Sequence, residues 1–270
     1  MDITIDQLLS GKNTKIKDKE FFATKAYVEP FLDRVSKVTD DFQVKVELPD
    51  QITMTEDADD ITYNRVWLQA VLPDDYIVDN HKEVIGMVYG LDTRKPVVKF
   101  YRGGINMACT NLCVFNPSYL RVAELKPKTA IDYKPVDNLI EQASELKVWL
   151  NKLHTTTFSR DEQNINENLG MWIRNCLTAS YDTGVGKVKL ATSIAIGAYK
   201  LLFESAESPY YVSAERNTDM FNIYNAFTEL ITNDKDNYRL ILKRDISSII
   251  NTYREIREFY EKKGYVCQEG

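Results

Sequence analysis

The hydrophobic period changes along this chain, and that change constrains its fold more than any other feature. In "FQVKVELP", Phe42, Val44, Val46 and Leu48 alternate with Gln43, Lys45 and Glu47, the pattern of a half-buried strand. "RVWLQAVLP", "EVIGMVYGLD" and "KPVVKFYR" follow as three more strands with short or acidic connections, which predicts an antiparallel meander of about four strands. Before it, Phe22, Ala26, Phe31, Val35 and Val38 share a helical face over 18–38, with Pro30 expected to bend or split that helix. After Pro135 the apolar residues recur every third or fourth position. Val136, Leu139, Ile140, Ala143, Leu146, Leu150 and Leu153 form one stripe. Ser159 to Glu162 reads as a capping box for the next helix, with Ile165, Leu169, Trp172, Ile173 and Cys176 inward. Further stripes run over 191–202, 220–231 and 242–260. The predicted plan is α+β: an N-terminal helix, a meander, then a mostly helical C-terminal half, divided as 1–132 and 133–270.

The stretch joining the two periods, "YRGGINMACTNLCVF", invites three readings. Ile105, Ala108, Cys109, Leu112 and Cys113 have the spacing of one helix face, so Arg102-Gly103-Gly104 reads as a strand-to-helix joint and Pro117 as the helix stop. On such a face Cys109 and Cys113 are small core residues. A zinc site would need a second ligand pair, and Cys176, Cys267, His81 and His154 are isolated in sequence. Four cysteines in 270 residues are too sparse for a disulfide scaffold and favour a reducing compartment.

Other chemical motifs fail on spacing. "DTGVGKVKLATS" lacks the first glycine and the Ser/Thr of a phosphate loop, and Gly184 and Gly186 are expected as a helix end and turn. His81 lies in the polar stretch "DDYIVDNHKE", and His154 ends a predicted helix, where a cation suits the dipole. Neither has a nucleophile pattern beside it. The acids Glu56, Asp57, Asp59 and Asp60 lack the glycine and closing Glu of a calcium loop, so they read as a solvated loop. No catalytic residue, cofactor or metal is called for.

Charge is distributed unevenly. Residues 40–60 hold eight acids against one lysine, whereas 93–131 hold seven bases against Glu124, in a chain of net charge −6. "RKPVVKFYR" interleaves Arg94, Lys95, Lys99 and Arg102 with Phe100 and Tyr101. On an alternating strand Lys95, Lys99 and Tyr101 share a face, which can grip phosphates and stack a base. No apolar run is long enough to span a membrane, and the N-terminal residues lack the apolar core of a signal peptide, so a cytoplasmic protein is expected, the host cytoplasm or a virion being compatible.

From Arg65-Val66-Trp67-Leu68 through Pro73-Asp74-Asp75-Tyr76 to Ala108-Cys109-Thr110-Asn111-Leu112, the sequence resembles the phage and plasmid-like proteins classed as domain of unknown function 932. "NTDMFNIYNAFTEL" (217–230) is similar to a downstream element of that family, so the resemblance spans residues 40–235. Two departures stand out: "YGLDTRKP" replaces a His- and Ser-containing segment, and Phe221 or Met220 takes the place of a tryptophan. The resemblance implies a mobile-element origin and makes Cys109-Thr110-Asn111 a landmark.

The leading functional expectation is therefore a phage protein that binds single-stranded DNA, an annealing or recombination accessory of Rad52-like type. Its contacts would come from Arg94, Lys95, Lys99, Tyr101, Arg102 and Asn111. The alternative is a non-enzymatic structural or host-interacting protein, for which the abundant tyrosines suit a protein interface. A metal-dependent nuclease would have to draw on the acids at 56–60. The stripe Leu242, Ile246, Ile249, Tyr253, Ile256 and Tyr260, widened by Ile241, Ile250 and Phe259, predicts a homo-oligomer.

Overall fold

A computed structural model describes residues 4–9, 14–16, 19–21, 24–47, 65–73, 80–90, 96–106, 112–126, 129–158, 181–183, 186–188, 192–212, 218–232 and 244–251. The chain is α+β and divides into two units. The first comprises Met1–Gly103 and Ser118–Ser144, the second Gly104–Pro117 and Glu145–Gly270. The expected boundary at 132/133 falls inside the first unit, and the stretch 104–117 goes to the second.

The first unit opens with a one-turn helix α1 (Ile5–Leu8) and a small hairpin, β1 (Thr14–Ile16) with β2 (Lys19–Phe21). Helix α2 (Thr24–Val35) is therefore shorter than the 18–38 expected, because residues 19–21 pair as a strand. Pro30 lies inside α2 and does not split it. Tyr27, Val28, Phe31 and Val35 form its buried stripe. The meander follows as predicted: β3 (Phe42–Glu47), β4 (Arg65–Val71), β5 (His81–Gly90) and β6 (Val97–Asn106) lie side by side in that order. β3/β4 and β4/β5 are antiparallel, with Gln69 opposite Gly86. Asn80, with φ of 60°, turns the chain into β5, so His81 is a buried strand residue and not part of a polar turn. The sheet gains a strand the sequence reading omits. β8 (Leu120–Glu124) pairs antiparallel with the first half of β6, Lys99 opposite Val122 and Phe100 opposite Arg121.

Helix α2 and Tyr133, the N-cap of α3 (Lys134–Glu141), supply aromatic residues to one sheet face. Phe31 stacks on Phe100 at 6.4 Å between centroids, Tyr27 meets Tyr89 at 5.5 Å, and Phe100 meets Tyr133 at 5.4 Å. Burying aromatic side chains of this size is a large share of what holds such a core together. The Tyr133 hydroxyl donates to the carbonyl of Tyr27, and burial, reinforced by Tyr27 and opposed by Arg34, pushes its pKa far above the ordinary phenol range.

The second unit corrects the reading of the double glycine. No helix begins at Gly104. Strand β6 continues to Asn106, and β7 (Leu112–Cys113) pairs with its end, Gly104 opposite Cys113 and Ile105 opposite Leu112. Residues seven apart meet on one helix face, but a hairpin brings the same two residues opposite each other, so the spacing admitted both. Gly104 is there for space: a Cβ would lie 2.7 Å from Leu146 Cδ1 and 3.0 Å from Cys113 Sγ. Cys113 is buried, as expected of a core residue, and donates its thiol to the Gly104 carbonyl at 3.1 Å. Cys109 and Asn111 lie outside the described residues.

The single stripe expected from Val136 to Leu153 is two helices, α3 and α4 (Leu146–Thr155), separated by extended backbone at Gln142. In the second unit α4 presents Leu146, Trp149, Leu150 and Leu153 inward. Trp149 stacks on Phe115 at 5.5 Å and meets Tyr224 edge-on at 5.0 Å. β9 (Thr157–Phe158) pairs with β12 (Thr218–Asp219). Between them, β10 (Tyr181–Thr183) and β11 (Gly186–Val188) form a hairpin where a helix end was expected. Helices α5 (Thr192–Phe203) and α6 (Met220–Thr232) match the predicted stripes. The predicted helix opened by Ser159–Glu162 falls outside the described residues. Of the long last stripe only helical residues 244–251 are described, with Ile246, Ile249 and Ile250 buried.

Candidate functional site

Strand β6 was expected to offer an open basic and aromatic face, and its residues divide sharply. Tyr101 is fully buried. Its hydroxyl donates to Gln69 Oε1 at 3.1 Å, two strands away, and its ring lies across Gly86, where a Cβ would approach the ring carbon Cζ to 2.1 Å. The ring fills the space that Gly86 leaves, so it cannot stack a base. Arg102 is only 2% exposed. Its Nε donates to Glu83 Oε1 at 2.7 Å, one Nη donates to the carbonyls of Leu139 (2.8 Å) and Gln142, and the guanidinium lies over the Tyr119 ring at 5.7 Å. Those carbonyls are the open end of α3. A buried cation there satisfies acceptors that a helix C-terminus leaves without intrahelical donors, and it opposes the negative end of the dipole. Arg102 is thus a helix cap and not a phosphate ligand.

Lys99 remains half-buried, and Arg94, Lys95 and Asn111 lie outside the described residues. The register with β8 adds two basic residues to this region. Arg121 and Lys126 are exposed, and Leu125 donates its N–H to Pro96 O at 2.8 Å, which sets Lys126 beside the start of β6. The four residues Arg121–Glu124 are exposed on both sides of the strand, and Val122 is 48% exposed. Among the described residues β8 therefore forms an uncovered sheet edge.

The second unit holds an arrangement that the sequence reading missed. The short β9/β12 pair sets Thr157 opposite Asp219, immediately before α6. Asp219 accepts the Asn222 N–H at Oδ1 (2.8 Å), an N-cap contact, and its Oδ2 meets His154 Nδ1 at 3.0 Å. His154 lies in the last turn of α4, as expected, and its ring is also held against Phe221 at 4.2 Å between centroids. A cleft of about 320 Å³ opens beside this group, lined by Thr157, Pro209, Tyr211, Thr218, Asp219 and Asn222, with Phe221 and Val212 completing the wall. The available signal was "TDMFN", an Asp followed three residues later by Asn at a helix start.

Among the described residues no group of three or more His, Cys, Asp or Glu side chains could hold a metal ion, and no helix is long and apolar enough to cross a membrane. No family model matches the chain, and neither a curated protein nor a solved structure matches it.

Proposed function

We propose that this chain is a non-enzymatic binding protein of a phage or other mobile element that holds single-stranded DNA along the β6/β8 edge. What supports the reading is the β6/β8 register. It folds the basic stretch 93–131 back on itself, so that Lys99 and Lys126 fall on one face of the β6/β8 edge, together with Glu124, and Arg121 falls on the other face opposite Phe100, with Arg94 and Lys95 next to them in the chain. Tyr101 and Arg102 drop out of the contact set. A Rad52-like outline has a helix directly after the meander; here β7 and β8 intervene, so the reading rests on charge and not on fold. The mobile-element origin rests on the motifs at 65–76, 108–112 and 217–230.

Fluorescence anisotropy with labelled single strands over a salt series tests the interface. Replacing Lys99, Arg121 and Lys126 together by Gln should weaken binding and flatten the log–log salt slope by about 2, from three lost phosphate contacts. Absence of binding by the unaltered chain at low salt would sink the reading.

The exposed edge favours a second occupant, a phage or host protein that adds a strand to β8 through backbone hydrogen bonds. Val122→Pro should abolish that contact and leave strand binding by Lys99, Arg121 and Lys126 intact. Self-association is proposed for the same molecule. A homo-oligomer would exceed 31.2 kDa by light scattering, and a clean monomer mass would refute it.

A further inference from the structure

We propose that the cleft beside Asp219 is a binding site for a guanidinium-type cation. The argument begins with hydrogen-bond capacity. Asn222 donates both amide hydrogens within the protein, to Tyr210 O at 2.9 Å and Thr218 Oγ1 at 3.0 Å, so what it can still offer a ligand is its amide oxygen. Among the described residues Asp219 accepts one bond at each carboxylate oxygen, whereas a carboxylate has about four acceptor sites. The group is 28% exposed and can be reached. The cleft floor is therefore rich in acceptors. A ligand matched to it must be rich in donors, and a guanidinium carries five N–H donors and no acceptor.

Charge selects in the same direction. Asp219 is the one formal charge among the described lining residues, and it already occupies the N-cap of α6. The positive end of that helix is thus satisfied from within, which removes the usual attraction of a helix start for phosphate. The walls add a second preference: the aromatic residues Phe221 and Tyr211 line the cleft, and a planar cation beside an aromatic ring gains a further attraction. A volume of about 320 Å³ sits at the small end of ligand pockets, suited to a head group with a short tail and not to a nucleotide. The cation can belong to a free small molecule or to an arginine side chain of a peptide.

The test titrates the full chain with ethylguanidine, with its neutral isostere ethylurea, and with a capped tripeptide containing arginine, following amide shifts by NMR. Ethylguanidine should shift signals of the Asp219–Asn222 segment, and ethylurea should bind at least about tenfold more weakly. Tighter binding of the tripeptide assigns the cation to a peptide; equal or weaker binding assigns it to a small molecule. Asp219→Asn retains a good N-cap residue and should lower ethylguanidine affinity by about tenfold or more. Phe221→Leu leaves the cap untouched and provides a second variant, expected to weaken binding by a few-fold through loss of the ring face. No binding of ethylguanidine, equal binding of ethylurea, or a folded Asp219→Asn protein with unchanged affinity would each overturn the proposal.

Discussion

One pair of titratable side chains in each unit makes a contrast. In the first, Arg102 and Glu83 are sealed, their side chains 3% and 0% exposed, and the cation is fully committed to Glu83 and the end of α3. In the second, His154 and Asp219 keep 36% and 28% exposure, and Asp219 lines a cleft. Among its described residues the second unit also joins neutral partners: Trp149 Nε1 donates to Asn251 Oδ1 at 2.9 Å, and Tyr224 and Ser247 join hydroxyls at 3.2 Å. A sealed pair fixes how two elements meet. A pair left open can still answer to something that arrives from solvent.

The most damaging single change should be to the sealed pair. Arg102→Met removes the cation, strands Glu83 in the core and leaves the α3 carbonyls without donors. Losing one partner of a buried pair costs about 3–5 kcal/mol. Hydrogen exchange with chemical denaturation should show the loss in α2, α3 and the sheet, while α4 and α6 stay protected. Loss spread equally over both units would mean that Arg102 supports more than its own. The double change Arg102→Met with Glu83→Leu should recover much of the deficit, since the cost lies in the orphaned charge.

In the second unit the matching perturbation is milder. Trp149→Phe keeps an aromatic ring against Phe115 and Tyr224 but loses the indole donor to Asn251. Asn251 also donates to the Phe115 carbonyl at 3.2 Å, so the hydrogen-bonded link between Trp149, Asn251 and Phe115 is cut at one point. An unpaired buried acceptor of this kind costs about 1–3 kcal/mol. The thermal midpoint of this unit should fall while the first unit holds. Ile249→Asp, by contrast, should unfold the second unit outright, because Ile249 is 1% exposed within the single chain. That burial also moves any shared surface away from residues 246–250.

These pairs explain what the sequence disclosed and what it did not. Period-two alternation located all four meander strands, and the stripes at 191–202 and 220–231 located α5 and α6, because one buried face per element repeats locally. The break between α3 and α4 was invisible: the carbonyls where α3 ends are taken by Arg102, some forty residues upstream. β8 hid for a related reason. Its residues Arg121–Glu124 are exposed on both sides, so they carry no alternation to detect. The basic–aromatic strand misled because interior demand for a cation and a ring looks identical in sequence to surface supply. Only the partners Glu83, Gln69 and Gly86 distinguish the two, and they come from other strands. The cleft needed Thr157 and Asp219 side by side, which the β9/β12 pairing provides across a gap of 62 positions.

The gentlest test exploits a feature the units share. Each buries a phenol that holds its proton more tightly than an ordinary one. Burial raises the pKa of Tyr133 in the first unit and of Tyr224 in the second, where nearby Cys113 adds to the effect and the Ser247 hydroxyl opposes it. The sign follows from linkage. Below pH 10, the ordinary phenol value, both folded and unfolded forms are protonated and the groups contribute no pH dependence. Above it the unfolded chain releases these protons and the folded chain retains them, so stability falls as pH rises. One unit above the ordinary value, each phenol accounts for at most about 1.4 kcal/mol. Denaturant midpoints, read with the absorbance of phenolate, should decline together for both units in this window. Tyr133→Phe should remove its share of the decline from the first unit only, and Tyr224→Phe from the second only. The Tyr133 arm can be sharpened further, since Arg34 stands 5.3 Å from that ring centre and partly offsets the shift. Arg34→Gln should therefore delay Tyr133 ionisation and leave Tyr224 unchanged; an effect on Tyr224 would show that the two phenols do not titrate independently.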